Sequence, residues 1–180
     1  MLYPEGHIGE DQIYIAAGWH NIAMHIQGCL PSYIETMTKD KKGIFIPTSL
    51  SIAHAFGEVF DLQVVDGKLC YIHKTKLQSA RIPGQGNIVM EFGLIKHSWV
   101  EFYAHGRRMI LDVFPKKNSS LFSLLMPHPH PAYCIPPEKE HREAVEKKLN
   151  SAKFKEEMLF LVSAMREIAR DYNLQPPSGS

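Results

Sequence analysis

Residues 96–115 read KHSWVEFYAHGRRMILDVFP. Two runs in this stretch alternate apolar and polar residues, and His105-Gly106 stands between them as a turn signal. Alternation of that kind is the period of a strand with one face buried. The spacing therefore predicts a hairpin, with strands over 97–103 and 108–113. His97 opens the first strand and Asp112 nearly closes the second, so the two meet as cross-strand neighbours at one end of the sheet. If Trp99 and Glu101 share a face with His97, then Ser98, Val100 and Phe102 share the other. A carboxylate beside an imidazole fixes its tautomer and supports the charge that appears when the ring takes a proton. That is the base-and-orienter half of a nucleophilic triad. A hairpin whose open end carries His and Asp for structural reasons alone is the competing reading.

Working outward, Pro47-Thr48-Ser49 looks like a helix start, with Thr48 or Ser49 as N-cap. The helix that follows carries Leu50, Ile52, Ala53, Ala55, Phe56, Val59 and Phe60, apolar on most sides, and is expected to be central and buried. Strands over 63–65 and 69–73 flank Asp66-Gly67, a hairpin signal. Upstream, a helix over 11–27 would be capped by Asp11 and stopped by Gly28, with a second short helix over 31–38. Residues 81–87 read as a loop. Residues 127–137, PHPHPAYCIPP, hold five of the twelve prolines and read as an extended surface segment. Residues 138–173 are helical, with a break near Asn150-Ser151. Their stripe of Phe154, Met158, Leu161, Met165 and Ile168 packs either on the domain or on a second copy of the chain as a homodimer. The order of elements gives an α+β fold.

Composition bounds the function. The chain has 180 residues, 44% hydrophobic and 22% charged, with a net charge of +1. That suits one domain over 1–175, with 176–180 as a disordered tail or cloning scar. Near-neutral charge gives no reason to expect nucleic acid or membrane as a partner. Three cysteines without CxxC spacing argue against a disulfide framework or zinc ribbon. No signal peptide and no long apolar run are visible, so a cytoplasmic location is expected. His128 and His130 lack a third metal ligand in sequence, and His20 and His25 are wrongly spaced for a zincin helix. Gly84-Gln85-Gly86 is too short for a phosphate loop. Neither metal nor organic cofactor is expected.

The His97-Ser98-Trp99-Val100-Glu101 strand, Gly106, and Ile110-Leu111-Asp112-Val113-Phe114-Pro115 resemble the His and Asp strands of the transglutaminase-like branch of the papain-type superfamily. The stretch from Ile46 to Ala53 is similar to the lasso-peptide leader peptidases of that branch. The resemblance covers roughly residues 43–115. It implies a papain-like core with an antiparallel sheet on the buried helix and helical additions at both ends. It also implies an amide-bond hydrolase or acyl transferase acting on a peptide or protein, with His97 as base and Asp112 as orienter. The position that the family gives to its nucleophilic Cys is Phe45 here, and Phe cannot attack. Three readings follow. Thr48 or Ser49 supplies a hydroxyl at the helix N-terminus, where the dipole favours an oxyanion. Cys29 supplies a thiol from the first helical unit, with Cys134 a weaker version of the same idea. Or the chain is a catalytically silent scaffold that binds peptide or protein, with His97 and Asp112 as a structural pair. Trp99, Thr48 and Phe45 would line the substrate pocket, Trp99 being either pocket wall or core.

Overall fold

The computed structural model describes residues 9–38, 47–74, 90–114 and 125–179. Its elements run α1 (Glu10–Thr38), α2 (Ser49–Phe60), β1 (Gln63–Lys74), β2 (Met90–Ala104), β3 (Arg107–Leu111), β4 (Leu125–Pro127), β5 (Tyr133–Cys134), α3 (Lys139–Leu149) and α4 (Ala152–Asp171). The strands form one sheet in the order β4-β3-β2-β1-β5, each neighbour antiparallel. The fold is mixed α and β, with helices gathered on one face of an antiparallel sheet.

Register decides which side chains share a face. Val100 pairs with Leu111 and Val64 with Val100, so these point toward the helices. There Val100, Phe102 and Leu111 join Trp19 of α1, Phe56 of α2, and Leu161, Met165 and Ile168 of α4 in the main core. The other sheet face carries a second, smaller cluster of Val65, Leu69, Trp99, Ile110, Met126 and Tyr133. The β2–β3 hairpin turns through His105 and Gly106 at φ 47° and 78°, the left-handed pair that a two-residue hairpin requires. The stripe on α4 is consumed within the chain. Phe154, Leu161, Met165 and Ile168 are buried and Met158 packs against the same core.

Several sequence expectations are corrected. Asp66-Gly67 is not a turn. β1 is one strand whose twelve residues all pair with β2, and Asp66 and Gly67 sit opposite Ser98 and His97. A continuous ladder outweighs local turn preference. α1 does not stop at Gly28. It runs through Pro31 as one 29-residue helix, because Ile26 and Leu30 before the proline and Tyr33 and Ile34 after it pack on the same core. Asp11 is not its cap. Gln12 Oε1 accepts from the Gly9 N–H at 3.1 Å instead. After α4, Leu174 is buried, and Pro177 lies against Gly18 so closely that a Cβ on Gly18 would stand 2.9 Å from it. The helix break near Asn150 falls where expected, with Ser151 capping α4 through Phe154 N–H. The expected loop at 81–87 and Phe45 lie outside the described residues.

Candidate active site

The β2–β3 register, continued past Leu111, sets Asp112 across from Trp99 and diagonal to His97. His97 Nε2 lies 2.7 Å from Asp112 Oδ2, with the two side chains 2% and 0% exposed. The same oxygen accepts from Tyr133 OH at 2.6 Å, and Oδ1 accepts from the Phe114 N–H at 3.1 Å. The carboxylate thus takes three donors and cannot turn. Because it accepts, Nε2 of His97 carries the proton and Nδ1 is the basic nitrogen. Burial, then the Asp112 charge and its hydrogen bond, push the Tyr133 phenol well above its usual range. Tyr133 comes from β5, inside the proline-rich stretch, where no residue pattern points to a pairing partner.

A second carboxylate lies on the helix side of the sheet. Asp66 Oδ1 accepts from Ser98 OH at 2.6 Å, and His54 Nε2 of α2 sits 3.1 and 3.0 Å from the two Asp66 oxygens. Burial pushes the Asp66 carboxyl upward, but the hydrogen bonds from His54 and Ser98 and the charges of His54 and His141 together hold it below the usual value. His141, at the start of α3, donates from Nε2 to the Asp66 backbone carbonyl at 3.2 Å. Two histidine–carboxylate pairs therefore stand on opposite faces of adjacent strands.

One member of each pair, His97 and Asp66, lines a cavity of about 240 Å³. Thr48 and Ser49, at the N-terminus of α2, form one wall. Asp66, Lys96, His97 and Ser98 form the sheet side, and His141 and Lys148 of α3 close it. Larger is an open groove of about 820 Å³ along α4, lined by apolar residues such as Met158 and Leu159 and by charged ones such as Arg166 and Glu167. The smaller cavity holds the chemistry, and it is the one that matters here: histidine, hydroxyl and carboxylate groups meet the unsatisfied N–H groups of a helix start.

Of the two candidate hydroxyls, Thr48 is the N-cap. Its Oγ1 accepts from the Ser51 N–H at 3.3 Å, and Ser51 Oγ accepts from the Thr48 N–H at 3.0 Å. Ser49 is the first helical residue and lines the cavity. Trp99 is core rather than pocket wall. It is 2% exposed, meets Tyr133 edge-on at 5.0 Å, and donates to Glu101 Oε1 at 3.0 Å. Cys29 is not brought to His97. It lies on α1, packed against the main core. Cys134 Sγ points to the Lys68 carbonyl at 3.6 Å. His130 is used locally, its Nδ1 accepting from the Ala132 N–H at 3.2 Å. Among the described residues, no group of three His, Cys, Asp or Glu side chains is placed to hold a metal ion. No helix there is long and apolar enough to cross a membrane.

Sequence reasoning missed His54, Asp66, Ser98, His141 and Tyr133. Only Ser98 left a signal: strand alternation put it on the face opposite His97, toward the central helix. Compared with protein-family models, with curated proteins and with solved structures, the chain matches none.

Proposed function

We propose that this chain is a transglutaminase-like, papain-like enzyme that hydrolyses or transfers an acyl group at an amide bond of a peptide or protein. One observation carries the reading: the first turn of α2, with Ser49, and His97 of the buried His97–Asp112–Tyr133 chain are walls of a single cavity. In this reading Ser49 Oγ attacks the amide carbon and its proton passes to His97 by way of the cavity that both residues line. The electron pair of the carbonyl moves onto oxygen, where the N–H groups of the first turn of α2 receive the charge. Collapse expels the amine, which takes the proton from His97. Water or a second amine then releases the acyl group from Ser49 by the reverse sequence. Asp112 holds the imidazole throughout, and Tyr133 holds Asp112. A serine hydroxyl needs more help from its base than a thiol does, and an imidazole held by a buried carboxylate is suited to giving it.

The test is labelling with a fluorophosphonate, located by mass spectrometry. The expected adduct is on Ser49, and it is lost in Ser49→Ala. It forms at least about tenfold more slowly in His97→Gln, the range that a positioned base contributes. An unlabelled Ser49 in folded protein, or labelling indifferent to His97, removes this reading. Alkylation rates of Cys29 and Cys134 against pH complete the test. A fast thiol that slows in His97→Gln would move the nucleophile to sulfur.

A second reading is favoured by one observation, the 3% exposure of His97. In that reading the scaffold is silent and binds peptide or protein, and the His97–Asp112 pair is structural. Peptide capture without any adduct supports it.

A further inference from the structure

We infer that the cavity at the N-terminus of α2 is an oxyanion-binding site, taking a carboxylate or phosphate group between the helix start and His141. The helix start alone does not carry this. α2 is a twelve-residue helix whose first N–H groups face the cavity end of the element, a place that favours negative charge. The independent observation is His141. The residue is 6% exposed, it lines the cavity, and among the described residues its buried Nδ1 has no hydrogen-bond partner. A buried polar atom in that state marks a missing partner.

The tautomer follows from the other nitrogen. Nε2 faces the Asp66 backbone carbonyl at 3.2 Å, and a carbonyl only accepts, so Nε2 carries a proton. A second proton therefore goes to Nδ1 and turns it into a charged donor within the cavity wall. The surrounding charges favour an anion there. Lys148 from α3 and Lys96 from β2 line the cavity. Asp66 of β1 also lines it, but both of its oxygens are engaged by His54 and Ser98. His97 is turned to Asp112. A volume of about 240 Å³ admits a side-chain-sized acid rather than a nucleotide. The anion site stands whether or not Ser49 reacts. Its consequence, that the substrate carries an acidic group close to the reacting amide, rests on the acyl-transfer reading.

An anion can be held at Nδ1 only when the ring carries both protons, so binding tightens as pH falls. The experiment is a ring ¹H–¹³C titration of the full chain carrying labelled histidine, with the His141 signal assigned from His141→Gln. Inorganic phosphate and acetate are titrated separately against chloride at matched ionic strength, at pH 6 and pH 8. The expected result is a saturable His141 shift at pH 6, with weaker affinity at pH 8. Lys148→Gln, an exposed change that leaves the fold alone, should weaken binding by about three- to fivefold. The anions are not substrates and react with nothing, so their binding is read apart from the proposed reaction at Ser49. Saturation by acetate assigns the site to an acidic peptide, and saturation by phosphate alone assigns it to a phosphate ester. No saturable shift with either anion, a shift that chloride reproduces, or equal affinity at both pH values overturns the inference.

Discussion

Tyr133→Phe removes one bond from the buried chain and little else. The phenyl ring keeps its edge contact with Trp99 at 5.0 Å and its place beside His97. What is lost is the hydroxyl donor 2.6 Å from Asp112 Oδ2. A hydrogen bond to a charged partner contributes about 1.5–3 kcal/mol. Asp112 retains His97 and the Phe114 N–H, so we expect a loss near the middle of that range, about 2 kcal/mol at pH 8. The pH dependence gives a second, independent check. Burial and the Asp112 charge raise the folded-state pKa of Tyr133 above its ordinary value, so its contribution is complete below about pH 10. Above that, the unfolded chain releases the phenolic proton while the folded chain keeps it, and stability falls by up to about 1.4 kcal/mol per pH unit. The phenylalanine variant has no such proton to lose. The gap between wild type and variant should therefore narrow to about 1 kcal/mol at pH 10.5. Urea denaturation followed by tryptophan fluorescence at the two pH values measures both. A gap below about 0.5 kcal/mol at pH 8, or one that widens toward pH 10.5, refutes the account of Asp112 as a carboxylate held by three donors.

Three further outcomes follow from the same geometry. Asp66 has its folded pKa depressed, so its contribution is present above the unfolded value of about 4 and is lost as pH falls through the folded one. The melting temperature of Asp66→Asn should accordingly drop less than that of wild type between pH 6 and pH 3. Gly67→Ala places a Cβ 2.4 Å from the Cys134 carbonyl and 2.5 Å from the Trp99 ring. It should cost about 1–3 kcal/mol in urea denaturation and loosen amide protection at Tyr133, where β5 pairs with β1. Glu101 is 3% exposed, and both Nε and Nη2 of Arg108 reach its Oε2 while Trp99 holds Oε1. Arg108→Met should cost about 1–3 kcal/mol at pH 7, below the cost of breaking a fully buried pair because Arg108 is itself half-exposed and water can replace it in part.

The parts of the fold that were legible share a local cause. The hairpin declared itself by alternation and by His105-Gly106, and both the turn and the face assignment of Trp99, Val100 and Phe102 hold. The start of α2 was written in Thr48, and the α3–α4 break in Ser151, because cap hydroxyls act within three residues. The illegible parts depend on partners far along the chain. Asp66-Gly67 has strong turn chemistry, yet β2 offers twelve ladder partners in register. Gly28 and Pro31 are ordinary helix breakers, yet packing on the core before and after them carries α1 through. His97 and Asp112 were found because they are 15 residues apart on one hairpin, whereas Tyr133 meets Asp112 from a strand whose two residues carry no period at all.

The two histidine–carboxylate pairs differ in a way that bears on their roles. Asp112 is 0% exposed and is gripped by three donors from β2, β5 and its own chain turn, so the imidazole it holds has one orientation. Asp66 and His54 have side chains 19% and 22% exposed, and both Asp66 oxygens share one His54 nitrogen. A base that must present one nitrogen to a reacting group needs the first kind of environment, since rotation of the ring costs it the reaction. The register of β1 on β2 places Asp66 opposite Ser98 and Gly67 opposite His97, so consecutive residues of one strand deliver the two environments to one cavity from opposite faces. Gly67 makes this possible. Any side chain there would strike Trp99 and the Cys134 carbonyl, displacing β5 and with it the Tyr133 hydroxyl that fixes Asp112.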